Sequence, residues 1–444
     1  MAKTVEEKPL HELLPQVTFT PMGAPDKQQN QGNLLAAKQS PIFPVAGGLI
    51  SHCLSKRGER CLLDFTAQAC VVKFEVDGIW MNVDPYDRAT GDALLVVFKK
   101  MANLNPQDRK SKQEGKFGVD WPPGGKFIAT ITSQGVATGE RVLIKILPKK
   151  PKFENFEQAG MRDKMRDQFK SLVDGDHGLV VLSAPPSGGM TTTWRAALQS
   201  ADRYVRDFVS VESKANPEDE FINVGQVQFD AGQGPADILD KLLLKQPDVF
   251  VIPDMVNGGS LSRMIDQVNT QHKTVITRVA AKDAVEAILR LLALKPAASD
   301  FAKALKCVVN SRLIRKLCDA CKQPYQPPPQ LLQKLGIPPG RVATFYKEWE
   351  PPPPEQQVDA KGRPIEIPIC QKCAGIGYFG RTSIFELLVL NDSIRETIAK
   401  QPNPELIRRA AKASGHRGLQ EEVILLVAQG VTALNELQRV FSTK

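Results

Sequence analysis

Residues 184–193 read Ala-Pro-Pro-Ser-Gly-Gly-Met-Thr-Thr-Thr, the residue types and spacing of a phosphate-binding loop with Met190 where lysine belongs. A Walker A loop follows G-x-x-x-x-G-K-[ST]: backbone N–H groups cradle phosphates, lysine meets the β/γ oxygens and a hydroxyl holds Mg²⁺. Gly189 and Thr191 stand in register, and Ala184 replaces the first glycine. Pro185, Ser187, Gly188, Gly189, Met190, Thr191 and Thr192 are therefore the candidate nucleotide contacts. Methionine offers a triphosphate neither charge nor donor. A charge-assisted contact is worth roughly 1.5–3 kcal/mol, and loss of one preorganised transition-state donor costs ~10²–10³ in rate. Met190 should thus impair turnover more than binding, because the N–H groups and the helix dipole remain. Read alone, Pro-Ser-Gly-Gly-Met-Thr fits an ordinary strand-to-helix turn better than a nucleotide loop.

Four of the eight cysteines fall in two Cys-x-x-Cys pairs, Cys318/Cys321 and Cys370/Cys373. Each pair makes a tight knuckle whose sulfurs can take adjacent corners of a tetrahedron, so two knuckles complete a closed, structural four-thiolate zinc site. The long stretch between the pairs exceeds usual ribbon spacing, which a proline-rich loop tolerates. A redox dithiol is the competing reading, but nothing around either pair resembles a thioredoxin motif. With four thiolates no position stays open for catalysis.

The elements that must hold these groups follow from periodicity. Gly178-Leu-Val-Val-Leu-Ser183 reads as a buried strand running into the loop, with a helix after it over 191–199. Further strands are expected at 207–212, 248–252 and 274–277, with helices at 235–245, 259–269 and 283–294, the alternation of a parallel sheet flanked by helices. Upstream, 60–65 and 69–80 read as strands with Asp77-Gly78 as a hairpin turn. A helix over 93–104 and strands at 126–133 and 141–147 complete an α+β domain over 41–148. Residues 1–40, rich in Gln, Lys, Pro and Asn, read as a flexible arm, and 149–158 as a linker. The core spans 159–317, the cysteine segment with its proline-rich insertion 318–383, and a helical C-terminal domain 384–444.

The 444 residues carry a formal charge of +9 and 42% hydrophobic residues, which suits globular domains and demands no acidic partner. No apolar run reaches a membrane-spanning length, no signal pattern opens the chain, and the cysteine usage is not that of a disulfide scaffold. A cytoplasmic protein, held at a membrane only through partners, is the expectation.

Over roughly residues 45–443 the chain resembles the type II secretion and type IV pilus assembly ATPase family. Phe74-Glu-Val-Asp77-Gly78 is similar to the family's R-x-D-G strand and turn, and the stretch from Leu104 to Lys116 matches one ending in Gln-Asp-Gly-Arg. Cys318-Asp-Ala-Cys321, Cys370-Gln-Lys-Cys373 and the run Gly375-x-Gly377-Tyr-x-Gly380-Arg381-Thr-x-Ile-x-Glu386-Leu-Leu resemble its tetracysteine subdomain and following signature. The resemblance implies a RecA-like P-loop NTPase core in an α/β fold, ATP with Mg²⁺ as ligand, a hexameric ring, and an inner-membrane platform protein as partner. It places Arg109, and Lys116 beside it, where the family's arginines reach the nucleotide; a solvated basic loop is the alternative.

Departures from the family cluster in the same pocket. Ile-Glu-Asp-Pro becomes Val211-Glu212-Ser213-Lys214, and the Walker B glutamate is shortened to Asp254 with the following Arg and Asp lost. The His box carries Ala280 in place of histidine, although His272 matches an earlier Thr-Gly-His. Glu212 and Asp254 are thus the remaining candidate catalytic carboxylates. Phosphoryl transfer needs metal, cation and a water-orienting carboxylate together, and all three are weakened here. The expectation is a regulatory or assembly subunit with little or no hydrolysis, in a ring of its own or with active relatives. The alternatives are an active motor whose missing cation comes from another basic residue or a neighbouring subunit, and a zinc-ribbon nucleic-acid module. The last would bind with steep salt dependence but shows no recognition-helix motif.

Overall fold

Asp77 and Gly78 both have positive φ, 50° and 83°, as a two-residue hairpin connection requires to match strand twist. They join β3 (Ala69–Val76) to β4 (Ile79–Asp87) in an antiparallel sheet. The computed structural model describes residues 10–441 apart from 215–216, 231–232, 256, 354–356, 358–362, 364 and 366. Val256, Pro354, the first nine residues of the expected arm and the last three of the helical region lie outside the described residues. The chain divides into two compact units between Lys152 and Phe153.

In the first unit β1 (Thr18–Pro21), β2 (Gly58–Phe65), β5 (Gln113–Trp121), β6 (Gly125–Val136) and β7 (Gly139–Pro148) join β3 and β4 in the order β1-β5-β6-β7-β2-β3-β4. Along β3 burial alternates, with Cys70, Val72, Phe74 and Val76 inward, the period-two pattern of a sheet with one covered face. The helices Phe43–Ser55 and Arg88–Met101 pack on it. The latter starts five residues earlier than expected, because Asp87 accepts from the Thr90 N–H at 2.9 Å and caps it.

The span read as a flexible arm is partly ordered. β1 pairs with β5, and Phe19 meets Phe98 and Phe117 edge-on at 6.4 and 5.7 Å. A helix over Lys27–Lys38 follows, capped by Asp26 and tied by Asn33 to Asn103 at 3.1 Å. Polar composition hid a segment that folds by docking onto distant residues. Likewise Phe156–Ala159, running from the expected linker into the first residue of the expected core, forms a helical turn capped by Asn155, with Phe156 buried.

The second unit is a sheet of β8 (Gly178–Ala184), β9 (Phe208–Ser213), β10 (Val224–Phe229), β11 (Val249–Ile252), β12 (Thr274–Ala280), β13 (Leu305–Leu317) and β16 (Tyr378–Val389), ordered β10-β9-β11-β12-β8-β13-β16. All neighbours are parallel except β13 and β16. Every residue of β8 is buried, as befits a central strand covered on both faces. A small antiparallel pair, β14 (Gln323–Tyr325) and β15 (Phe345–Lys347), lies between the cysteine pairs.

The expected all-helical C-terminal domain is corrected at its start, where 384–389 belong to β16. Helices follow at Asp392–Lys400, Pro404–Ala413, Leu419–Ala428 and Leu434–Phe441. Buried Glu386 on β16 accepts from the Ala284 N–H at 2.6 Å and so caps the helix Ala284–Leu292.

Glu436, fully buried, accepts from Arg315 Nε and Arg439 Nε at 2.6 Å each and from the Arg315 N–H at 3.0 Å. Burial alone would raise its pKa, but the hydrogen bonds from Arg439 and Arg315 outweigh it and hold it below the ordinary 4.5. The stabilisation from this depressed carboxyl is therefore present above pH 4.5 and is lost as pH falls through the lower folded value. Glu436→Gln should cost about 3 kcal/mol near neutral pH, since it leaves a buried guanidinium unpaired. Denaturant melts at several pH values should show the gap between variant and wild type narrowing in acid.

Candidate nucleotide and metal sites

The carboxyl ends of β8, β9, β11 and β12 lie side by side through their parallel pairing, the place where open α/β sheets bind ligands. β8 delivers the chain to Pro185, and the loop turns on a Gly188 N–H to Pro185 carbonyl bond of 2.8 Å. A Cβ on Gly188 would sit 2.7 Å from Pro185 Cδ and 2.8 Å from its oxygen. Gly189, at φ 96°, is left-handed and caps the helix Met190–Ser200. Ser187 is also left-handed, at φ 60°. Met190 is thus the first residue of the helix, half-buried, with Thr191 exposed and Thr192 half-buried beside it. The first N–H groups of a helix lack intrahelical partners and favour anions. Backbone geometry suits a phosphate, and the cation is missing.

Deeper in the helix, Thr193 Oγ1 bonds Ser311 Oγ at 2.7 Å, fixing it to β13. Asn310 donates to Ser183 Oγ at 2.7 Å and to the Ala281 carbonyl at 3.1 Å, holding β13, β8 and the end of β12 together. Glu212, one residue before the end of β9, is buried, with Ser210 Oγ at 2.5 Å and the Glu218 N–H at 3.0 Å. It is a structural acceptor as much as a candidate catalytic group. Asp254 follows β11 and is half-exposed, with Arg278 4.0 Å away. Ala280, at the end of β12, is exposed and chemically inert.

Arg278 is a residue that motif reading passed over. It donates to Glu218 through both terminal nitrogens, at 2.5 and 3.0 Å, and lies 5.0 Å over the Trp194 ring. Burial, the largest influence on Glu218, raises its pKa; Arg278 opposes this, and Glu212 and Asp254 add to it. The available signal was a cation closing the apolar run Thr274-Val-Ile-Thr277, at the ligand-binding end of a buried strand. His272 lies at the C-cap of the helix Gly258–Gln271, its Nδ1 3.3 Å from His177 Nε2. That is the opposite end of the sheet, before β8 and β12 begin.

Arg109 belongs to the first unit. Its guanidinium pairs with Asp92 at 2.7 Å and Glu140 at 2.8 Å, over the Phe65 ring. Glu140 is in turn bound by fully buried Lys99 at 2.6 Å. Arg109 is thus tied into an ion-pair network of its own unit, and Lys116 stands exposed on β5.

The cysteine knuckles meet as their spacing implies. Cys318 and Cys370 sulfurs are 3.9 Å apart, Cys321 and Cys373 sulfurs 3.6 Å, and all four lie within 4.8 Å of one another. A metal with ~2.3 Å bonds to four thiolates sets sulfurs about 3.8 Å apart, so the quartet fits such an ion. The Cys373 backbone N–H, the foremost influence, draws the Cys370 thiol down to about 7. A separate cavity of about 720 Å³ opens between the helix Ala284–Leu292 and the C-terminal helices, bordered by Arg312, Glu386, Arg408 and His416. No phosphate-loop side chain lines it.

Residues 36–439 match the model of the family described as type II/IV secretion system protein. This chain belongs to that family. It is similar to the type II secretion system protein E of Pseudomonas aeruginosa, at 26% identity over 90% of this chain and 76% of that one. The protein transport protein HofB homolog of Escherichia coli is also 26% identical, over 98% of this chain and 92% of its own length. Among solved structures, the pilus retraction motor PilT with bound ADP superposes with a TM-score of 0.53 at 16% identity, covering 89% of this chain and 96% of that one. The likeness establishes the RecA-like α/β fold.

Two substitutions probe the loop. Gly189→Ala should cost about 1 kcal/mol from the left-handed backbone. Gly188→Ala should cost more, since the loop must shift to relieve the clash with Pro185. Thermal melts should rank them in that order.

Proposed function

We propose that this chain is an assembly or regulatory subunit of a type II secretion or type IV pilus machine, with ATP hydrolysis absent or much reduced. The observation that carries the reading is Met190: it occupies the first turn of a well-formed phosphate-loop helix, where the transferred charge needs a cation. Asp254 in place of the longer glutamate and Ala280 in place of histidine point the same way. Binding of a nucleotide phosphate would rest on the loop N–H groups, with Thr191 as the one hydroxyl in the register of a magnesium ligand. A nucleotide ligand for this fold accords with the ADP bound to PilT.

The quartet Cys318, Cys321, Cys370 and Cys373 holds zinc in this reading, organising the subdomain over 318–383. No helix among the described residues is long and apolar enough to cross a membrane. The proposed place, which follows from the family reading, is the cytoplasmic face of the inner membrane, reached through a platform protein. There the chain stands in a ring, hexameric in this reading, of its own copies or with active relatives.

The zinc-loaded protein should bind ATP weakly and turn it over ~10²–10³-fold more slowly than a family member with the lysine intact. Met190→Lys should tighten nucleotide about tenfold or more, the factor a charge-assisted contact supplies. Calorimetry and a phosphate-release assay read both. Ordinary turnover by the wild type, lost on Asp254→Ala, would overturn the proposal in favour of an active motor. Separately, Cys321→Ser should reduce bound zinc well below one per chain and lower the melting temperature, as metal analysis and calorimetry would report.

A further inference from the structure

We propose that Arg278 is a built-in counter-ion of the candidate nucleotide site, locking residues 217–222 over the phosphate-loop helix and occupying the electrostatic place of a divalent cation. This rests on the reading of that site given above and adds how its acidic groups are kept from metal.

Three strands converge on the arrangement. Glu218 and Asp254 both face Arg278, at 2.5 and 4.0 Å, from the segment after β9 and from the end of β11. The Glu218 backbone N–H reaches back to Glu212 at 3.0 Å, so Glu218 links Glu212 to the arginine that faces Asp254. On the other side, the guanidinium lies over Trp194, which is buried within the Met190–Ser200 helix. That helix holds the same segment a second time, through Arg195 paired with Asp219 and set 6.0 Å from the Phe221 ring.

The chemistry of the contact favours permanence. An arginine stays protonated at any physiological pH, presents a planar fork to a carboxylate, and stacks on an indole. Its pairing with Glu218 is largely withdrawn from solvent, with the two side chains 17% and 14% exposed. A metal approaching Glu218 or Asp254 would meet a fixed positive charge a few ångströms away. Repulsion of that kind weakens a divalent ion about tenfold even in a high dielectric. Arg278 thereby pairs with Glu218 and stands close to Asp254, Glu212 is held by hydrogen bonds, and the segment 217–222 is ordered without ligand.

The test uses zinc-loaded full-length protein and Mn²⁺ alone as the probe, read by the electron paramagnetic resonance of free Mn²⁺ and by tryptophan emission. Wild type and Arg278→Lys should show no saturable site. Arg278→Thr should gain one, at least about tenfold tighter than any wild-type binding, and should lose it again when Asp254→Asn is added. Trp194→Phe assigns the accompanying emission change. Wild-type Mn²⁺ binding equal to that of Arg278→Thr, or no gain in the variant, would overturn the inference. Should Arg278→Thr fail to fold, Glu218→Gln decides: hydrogen exchange across 217–222 should rise at least about tenfold, and unchanged exchange would refute the lock. Phosphate release by the wild type tests the proposed function separately, so either idea can fail without the other.

Discussion

The pairing of β8 between β12 and β13 is the constraint on which the chemistry of the second unit depends. Because β8 is covered on both faces and hydrogen-bonded on both edges, its end is among the best-fixed points of the chain. The loop after it is thrown outward, and Gly188 and Gly189 turn it into a helix whose N-terminus faces the other strand ends. Asn310 and Thr193 then fasten that helix and the tip of β12 to β13 by buried hydrogen bonds. This scaffold would hold a lysine as readily as the methionine that stands there. In the proposed reading, what sets the site apart is the side chains placed upon this framework.

Those side chains form a self-contained electrostatic set. In a phosphoryl-transfer site, carboxylates answer to a metal, and the cations answer to phosphate. Here Glu212 answers to Ser210 and to a backbone N–H, and Glu218 and Asp254 to Arg278. In the first unit, Arg109 answers to Asp92 and Glu140. Each partner is internal to its own unit, so these groups find their partners without a ligand.

Much of this architecture was legible in the amino-acid order. The β8 run, the helix after the loop, the Asp77-Gly78 hairpin and the meeting of the four cysteines all follow from local rules: burial runs, positive-φ turn residues and knuckle spacing. What escaped was decided at long range. Ile384-Phe-Glu-Leu-Leu-Val389 is an apolar run that could be helix or strand by periodicity, and only pairing with β13 makes it β16. β1 and the helix Lys27–Lys38 are polar in composition and order themselves against Phe98, Phe117 and Asn103. Arg278 escaped for another reason. Its partners Glu218, Asp254 and Trp194 come from three separate connections, so no single stretch displays the cluster.

The cysteine knuckles and the β14–β15 pair close the long excursion beyond Cys321 at its root. Once the root is stapled, the entropy of a flexible loop grows only with the logarithm of its length, about 0.6 kcal/mol for each doubling. Extra residues grafted into that excursion would therefore burden the sheet very little. The same staple makes it a natural point for an appended reporter or a lineage-specific extension, carried by the fold without disturbing the strands beneath.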